Sequence, residues 1–166
     1  MLLLSGMLNP KEGETIFISA ASGAVGGLVG QIAKQIFKCK VIGSCGGPEK
    51  CALVKEKFGF DHAIDYKTVQ TSAELVAKLR EVAPEGDDCG ECAALWWMHV
   101  CVVCCVLCLL QLCCVLCGCV SRQYHHPHSI HTGIDMYFDN VAGIHFTAAM
   151  DVLRPFGRVA QCGSIR

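Results

Sequence analysis

Between Ala20 and Gly27 the chain reads AASGAVGG. Ala21, Gly23 and Gly26 fit the spacing A-x-G-x-x-G, a dinucleotide fingerprint whose first glycine is replaced by alanine. The chemistry open to such a loop is the holding of a diphosphate. A glycine at position 23 lets backbone approach the pyrophosphate, and one at 26 lets the following helix pack close to the preceding strand. The helix N-terminus then offers N–H groups and a partial positive charge to the phosphates. A glycine-rich turn that binds nothing is the alternative. The strand before, the helix after and a second strand at the right distance weigh against it.

A second chemical signal follows that second strand, in SCGGPEK, Ser44 to Lys50. A chain that binds NAD usually carries an acid at the strand end to hold the ribose 2′-hydroxyl. Here no acid stands directly at that end, and Lys50 lies just beyond. A lysine pairs with a 2′-phosphate as a point charge, so NADPH is favoured. Glu49 counts the other way, although a carboxylate at a helix start is ordinary dipole matching.

Both signals need elements to position them. ETIFIS (Glu14–Ser19), KVIGSC (40–45), DHAIDY (61–66), IDMYFDNV (134–141) and GRVAQCGSI (157–165) read as strands, from their short β-branched and aromatic runs. Between them GAVGGLVGQIAKQIFK has Val25, Leu28, Val29, Ile32, Ala33 and Ile36 at helical spacing. PEKCALVKEKFG opens at Pro48 and closes at Gly59 as a helix, with the glycine as its C-cap. TSAELVAKLREVA is a helix capped by Thr71 or Ser72, and IHFTAAMDVLRP is another. Strands alternating with helices predict an α/β fold, a doubly wound parallel sheet of the Rossmann type.

The 166 residues carry a formal net charge of −1, with 52% hydrophobic and 17% charged residues, and have room for one domain with a real core. No basic stripe argues for nucleic acid. Ten of the 14 cysteines fall between Cys89 and Cys119. Four scattered cysteines in an alternating chain predict a reduced, cytoplasmic protein. MLLLSGMLNPKEGE has too short an apolar run for a signal peptide.

GETIFISAASGAVGGLVGQIAK, EKFGFDHAIDYKT and IDMYFDNVAG together resemble the zinc-independent medium-chain dehydrogenase/reductases. The branch they look like is that of prostaglandin reductase, leukotriene hydroxydehydrogenase and alkenal reductase. The resemblance covers Lys11 to Ile165 apart from the cysteine block. It implies NADPH-dependent reduction of the carbon–carbon double bond of α,β-unsaturated aldehydes and ketones, and a homodimer in the full-length family form. Carried over residue by residue, it puts Ala24, Val25, Gly26 and Gly27 on the pyrophosphate, next to the Gly23 of the fingerprint. Lys50 and Tyr66 would bracket the adenosine phosphate, Asn140 would contact the cofactor, and Cys162 and Gly163 would approach the nicotinamide. Family members also begin with a β-rich substrate domain and continue past the fifth strand, so this chain reads as a truncated form. No catalytic residue can be named in it. An inactive nucleotide-binding fragment is the alternative function.

CVVCCVLCLLQLCCVLCGCV, Cys101 to Val120, is the stretch foreign to this scheme. Ala93 to Val120 has no formal charge and is long enough to span a bilayer, which makes a membrane-anchored protein a further alternative. A single span would set the first three strands and the last two on opposite sides of the membrane. CGEC, CVVC and HHPHSIH (125–131) supply metal-ligand types, but not the sparse spacing of a zinc site. The reading that fits best is an insertion over 87–133, outside the fold. It interrupts a dinucleotide-binding domain made of 1–86 and 134–166. The codon bias of its two blocks points to a translated non-coding segment such as a retained intron.

Overall fold

The computed structural model describes residues 6, 8–83 and 133–163. Five strands alternate with helices: β1 (Thr15–Ile18), α1 (Ala24–Gln35), β2 (Lys40–Cys45), α2 (Pro48–Glu56), β3 (His62–Asp65), α3 (Ser72–Val82), β4 (Ile134–Asp139), α4 (Ile144–Val152) and β5 (Leu153–Gln161). A 3-10 turn, Tyr66–Thr68, follows β3. Every neighbouring pair is parallel, and the order is β3-β2-β1-β4-β5. This is the doubly wound arrangement expected from the sequence, with β1 at its centre. The strands on either side of residues 84–132 meet directly, since Ile16, Phe17 and Ile18 pair with Met136, Tyr137 and Phe138.

The two-residue side-chain period of a strand sorts the core into two layers. Ile16, Ile18, Val41, Met136 and Phe138 face the side covered by α1 and α2, with Ala33 and Val54. Phe17, Ile42 and Tyr137 face the other side, against Leu75 and Leu79 of α3 and Ala148, Ala149 and Val152 of α4. All four residues of β1 are buried, as a strand covered on both faces must be.

Three local details depart from the sequence reading. On α1 only part of the large apolar set lines the contact face: Val29 and Ile32 pack against the core, Val25, Leu28 and Ile36 are more than half exposed, and Gly26, Gly27, Gly30 and Ala33 are buried. A small-residue face lets the helix approach closely, and the Phe60 ring occupies the space a side chain at Gly30 would need. α2 ends at Glu56 with Lys57 as its C-cap, and Gly59 instead turns the chain at φ +75° toward β3. α4 stops at Val152 rather than running on to Pro155, because a proline there would lack the N–H for its helical bond and disfavours a helical Arg154. Pro155 lies instead in a bulge of β5, where the register passes from Ile134↔Leu153 to Met136↔Arg158 and Phe156 takes φ +63°.

The cysteine-rich and histidine-rich runs lie outside the described residues, and so do the membrane and metal readings made for them. Of the insertion read over 87–133 only Gly133 is described, and it belongs to the fold, buried where a Cβ would meet the Val152 carbonyl at 2.6 Å. Among the described residues no helix is long and apolar enough to cross a membrane, and no group of three or more His, Cys, Asp or Glu could hold a metal ion.

Candidate functional site

In a parallel sheet all strands point the same way, so their C-terminal ends share one edge. All ten residues singled out from the sequence lie at or just beyond that edge: Gly23, Ala24, Val25, Gly26 and Gly27 after β1, Lys50 after β2, Tyr66 after β3, Asn140 after β4, Cys162 and Gly163 after β5. Between β1 and β4 the strand order reverses, which opens a crevice at such an edge.

The turn from β1 into α1 is tight. Ala20 takes φ +51°, the Gly23 amide donates to the Ala20 carbonyl at 2.9 Å, and the Ala21 amide donates to the Ser44 carbonyl at 2.9 Å. The left-handed residue is therefore Ala20. Ala21 can stand at the first fingerprint position, where its methyl group fills the space above Gly43. A Cβ on Gly26 would lie 2.5 Å from the Ala20 carbonyl oxygen and 3.0 Å from the Ala21 Cα. Gly23 is the N-cap of α1 and no side chain caps it, while Gly23, Ala24 and Val25 are exposed. The first amides of α1 are thus left for an anion.

Asp139 ties the crevice together. Its Oδ1 accepts from Ser19 Oγ (3.1 Å), Tyr137 Oη (2.7 Å) and the amides of Val141 (3.0 Å) and Ala142 (2.8 Å). Asn140 donates through its amide to Ser19 Oγ and through Nδ2 to the Ser19 carbonyl, each at 2.8 Å. One of its two Nδ2 hydrogens is thereby committed to joining β1 and β4, and the side-chain oxygen and the second hydrogen are what remain for a ligand. The Cys162 and Gly163 amides both donate to the Asp139 carbonyl. Burial pushes the Tyr137 phenol well above its ordinary value, so it stays a donor.

At the other end of the edge, Gly46 and Gly47 link β2 to α2. Gly47, at φ +99°, donates to Asp65 Oδ1 at 2.8 Å. That amide and the Lys67 amide hold the Asp65 carboxyl below its usual range. Lys50 is exposed in the first turn of α2 beside exposed Glu49. The Tyr66 ring lies against Gly46, where a Cβ would meet its hydroxyl at 2.9 Å. Its other neighbour is His145, with ring centroids 5.5 Å apart and planes at 76°. His145 is 4% exposed, and its Nε2 lies 2.8 Å from Ser44 Oγ. Burial lowers the imidazole pKa, against an opposing pull from Asp139.

Ser19, Ser44, Asp139 and His145 were not picked out from the sequence. Asp139 sits in the quoted FDNV and could have been suspected from its place at a strand end. His145 reads as an ordinary residue of an apolar helix, and only the fold brings it to Ser44. The four described cysteines are free thiols. Burial raises Cys39 to about 11 and Cys45 to about 12, so neither is a nucleophile near neutral pH.

Residues 24–94 match the family described as zinc-binding dehydrogenase. The chain is 36% identical over 157 residues to the 2-alkenal reductase (NADP(+)-dependent) of Nicotiana tabacum, a match covering 95% of this chain and 31% of that protein. It is 37% identical over 155 residues to prostaglandin reductase 1 of Bos taurus, covering 93% and 31%. Among solved structures, CurA of Vibrio vulnificus in complex with NADPH superposes with a TM-score of 0.62 at 30% identity, over 98% of this chain and 33% of that one. The chain spans about a third of the length of these relatives.

Proposed function

We propose, from the chain's kinship with the medium-chain dehydrogenase/reductases, that it forms the cofactor-binding part of a cytoplasmic NADPH-dependent reductase. The substrates are α,β-unsaturated aldehydes and ketones. The observation that carries this reading is the uncapped start of α1, set by Gly26 against the β1 turn beside the crevice. A helix start without a side-chain cap, with exposed Gly23 and Ala24 at its tip, fits a diphosphate.

In this reading the amides of Ala24, Val25 and Gly26 hold the pyrophosphate, while those of Gly23 and Gly27 donate to the Ala20 and Gly23 carbonyls and shape the turn. Lys50 pairs with the 2′-phosphate, with Tyr66 as the facing wall. The Asn140 side-chain oxygen and the Cys162–Gly163 backbone orient the nicotinamide end. When bound, NADPH supplies the hydride that the β-carbon of the enone receives. The oxyanion that develops needs hydrogen-bond donors, and none of the described residues is assigned to that task. The full-length form is a homodimer in the same reading, which sedimentation velocity tests.

The decisive experiment is calorimetric titration of the purified chain with NADPH and with NADH. Lys50→Ala is expected to weaken NADPH roughly tenfold, as loss of a charge-assisted contact does, and to leave NADH nearly unchanged. Equal losses for both would contradict the phosphate role. A chain that binds NADPH yet never turns over an alkenal would favour the second reading, a nucleotide-binding fragment without activity.

A further inference from the structure

His145 belongs to none of the assigned contacts, yet it is a buried polar side chain in contact with Tyr66. Four residues form a closed circuit there. Ser44, near the end of β2, bonds His145 Nε2 at 2.8 Å. His145, in the first turn of α4, stands edge to face with Tyr66. Tyr66 lies on Gly46, which follows Ser44 by two positions and leads through Gly47 and Pro48 to Lys50. The backbone beneath Tyr66 is held as well. Asp65 accepts from the Gly47 and Lys67 amides, and Thr68 Oγ1 donates to the Asp65 carbonyl at 2.8 Å.

The circuit leaves one element of freedom, the Tyr66 ring. Tyr66 is 38% exposed, and Gly46 offers its ring no side chain to lean on. Its lateral support is the imidazole, whose own orientation is fixed by Ser44. A histidine aimed by one bond and packed on one ring is built to hold that ring in place.

We propose that His145 is a positioning residue for NADPH selectivity, acting through Tyr66 on the phosphate-facing wall beside Lys50. This rests on the reading that Lys50 and Tyr66 receive the 2′-phosphate. It adds that α4, from beyond residues 84–132, reaches across the sheet to tune a site built by β2, α2 and β3.

The test is a double-mutant cycle on the full chain, with NADPH and NADH titrated into wild type, His145→Ala, Tyr66→Ala and the double variant. His145→Ala is expected to weaken NADPH roughly three- to tenfold, the size of a lost aromatic packing contact, to change NADH little, and to add nothing once Tyr66 is alanine. A merely structural histidine would weaken both cofactors alike and multiply with the Tyr66 effect, and that result overturns the proposal. Wild-type affinity in His145→Ala, alongside weakened NADPH in Tyr66→Ala, overturns it too while the proposed function stands. Failure of the wild-type chain to bind NADPH removes both. Should His145→Ala not fold, Ser44→Ala decides, since it removes only the bond that aims the imidazole. A loss of NADPH affinity that vanishes in the Tyr66→Ala background supports the proposal, and unchanged affinity overturns it.

Discussion

Gly26 is held to glycine by backbone, which cannot move aside as a side chain could. A methyl group there would sit 2.5 Å from the Ala20 carbonyl oxygen. Gly26→Ala should therefore lower stability by about 1–3 kcal/mol, read as a fall in the thermal midpoint by circular dichroism. His145 makes a different residue-scale prediction. Its folded pKa lies below that of the unfolded chain, so the unfolded state binds the extra proton as pH falls below about 6.5. The stability it confers is present above that pH and is lost toward the depressed folded value. His145→Gln should flatten this part of the pH profile when urea midpoints at pH 7.5 and 5.5 are compared. The two residues also mark what a sequence reveals. Gly26 was legible because the fingerprint encodes a local backbone requirement. His145 was not, because its partner Ser44 lies 101 positions away.

Elements were easier to read than their ends. All five strands and four helices were anticipated, since apolar runs and capping residues are local signals. The limits of α4 and β5 were misjudged because Pro155 ends one element and is absorbed by a bulge in the other. Beyond Gly26, the buried glycines of α1 at 27 and 30 were not read as packing positions, because helical spacing of large apolar residues is the usual sign of a core face and here the close approach favours small ones. α3 shows a cap that both levels agree on. Thr71 accepts from the Glu74 amide at 3.3 Å while the Glu74 carboxylate accepts from the Gln70 amide at 2.8 Å. Thr71→Ala should cost about 1 kcal/mol and Thr71→Ser should restore most of it, measured by urea unfolding.

At the scale of the whole molecule, β1 lies between β2 and β4, so one sheet joins the chain on both sides of residues 84–132. We propose that 87–133 is an insertion the fold does not use, apart from Gly133, which is buried where a Cβ would meet the Val152 carbonyl at 2.6 Å. Removal of the rest of those residues is expected to leave a chain with the same sheet, the same helical circular-dichroism signal and unchanged NADPH affinity; loss of folding would show that the segment is part of the domain. The molecule's thiols carry a further consequence. Burial raises the pKa of all four described cysteines, Cys39, Cys45, Cys51 and Cys162. Only the thiolate adds readily to a soft electrophile, and conjugated aldehydes are electrophiles of that kind. On the proposed reading, in which conjugated aldehydes are the substrates, buried Cys39 and Cys45 stay protonated near neutral pH and are shielded from alkylation by them.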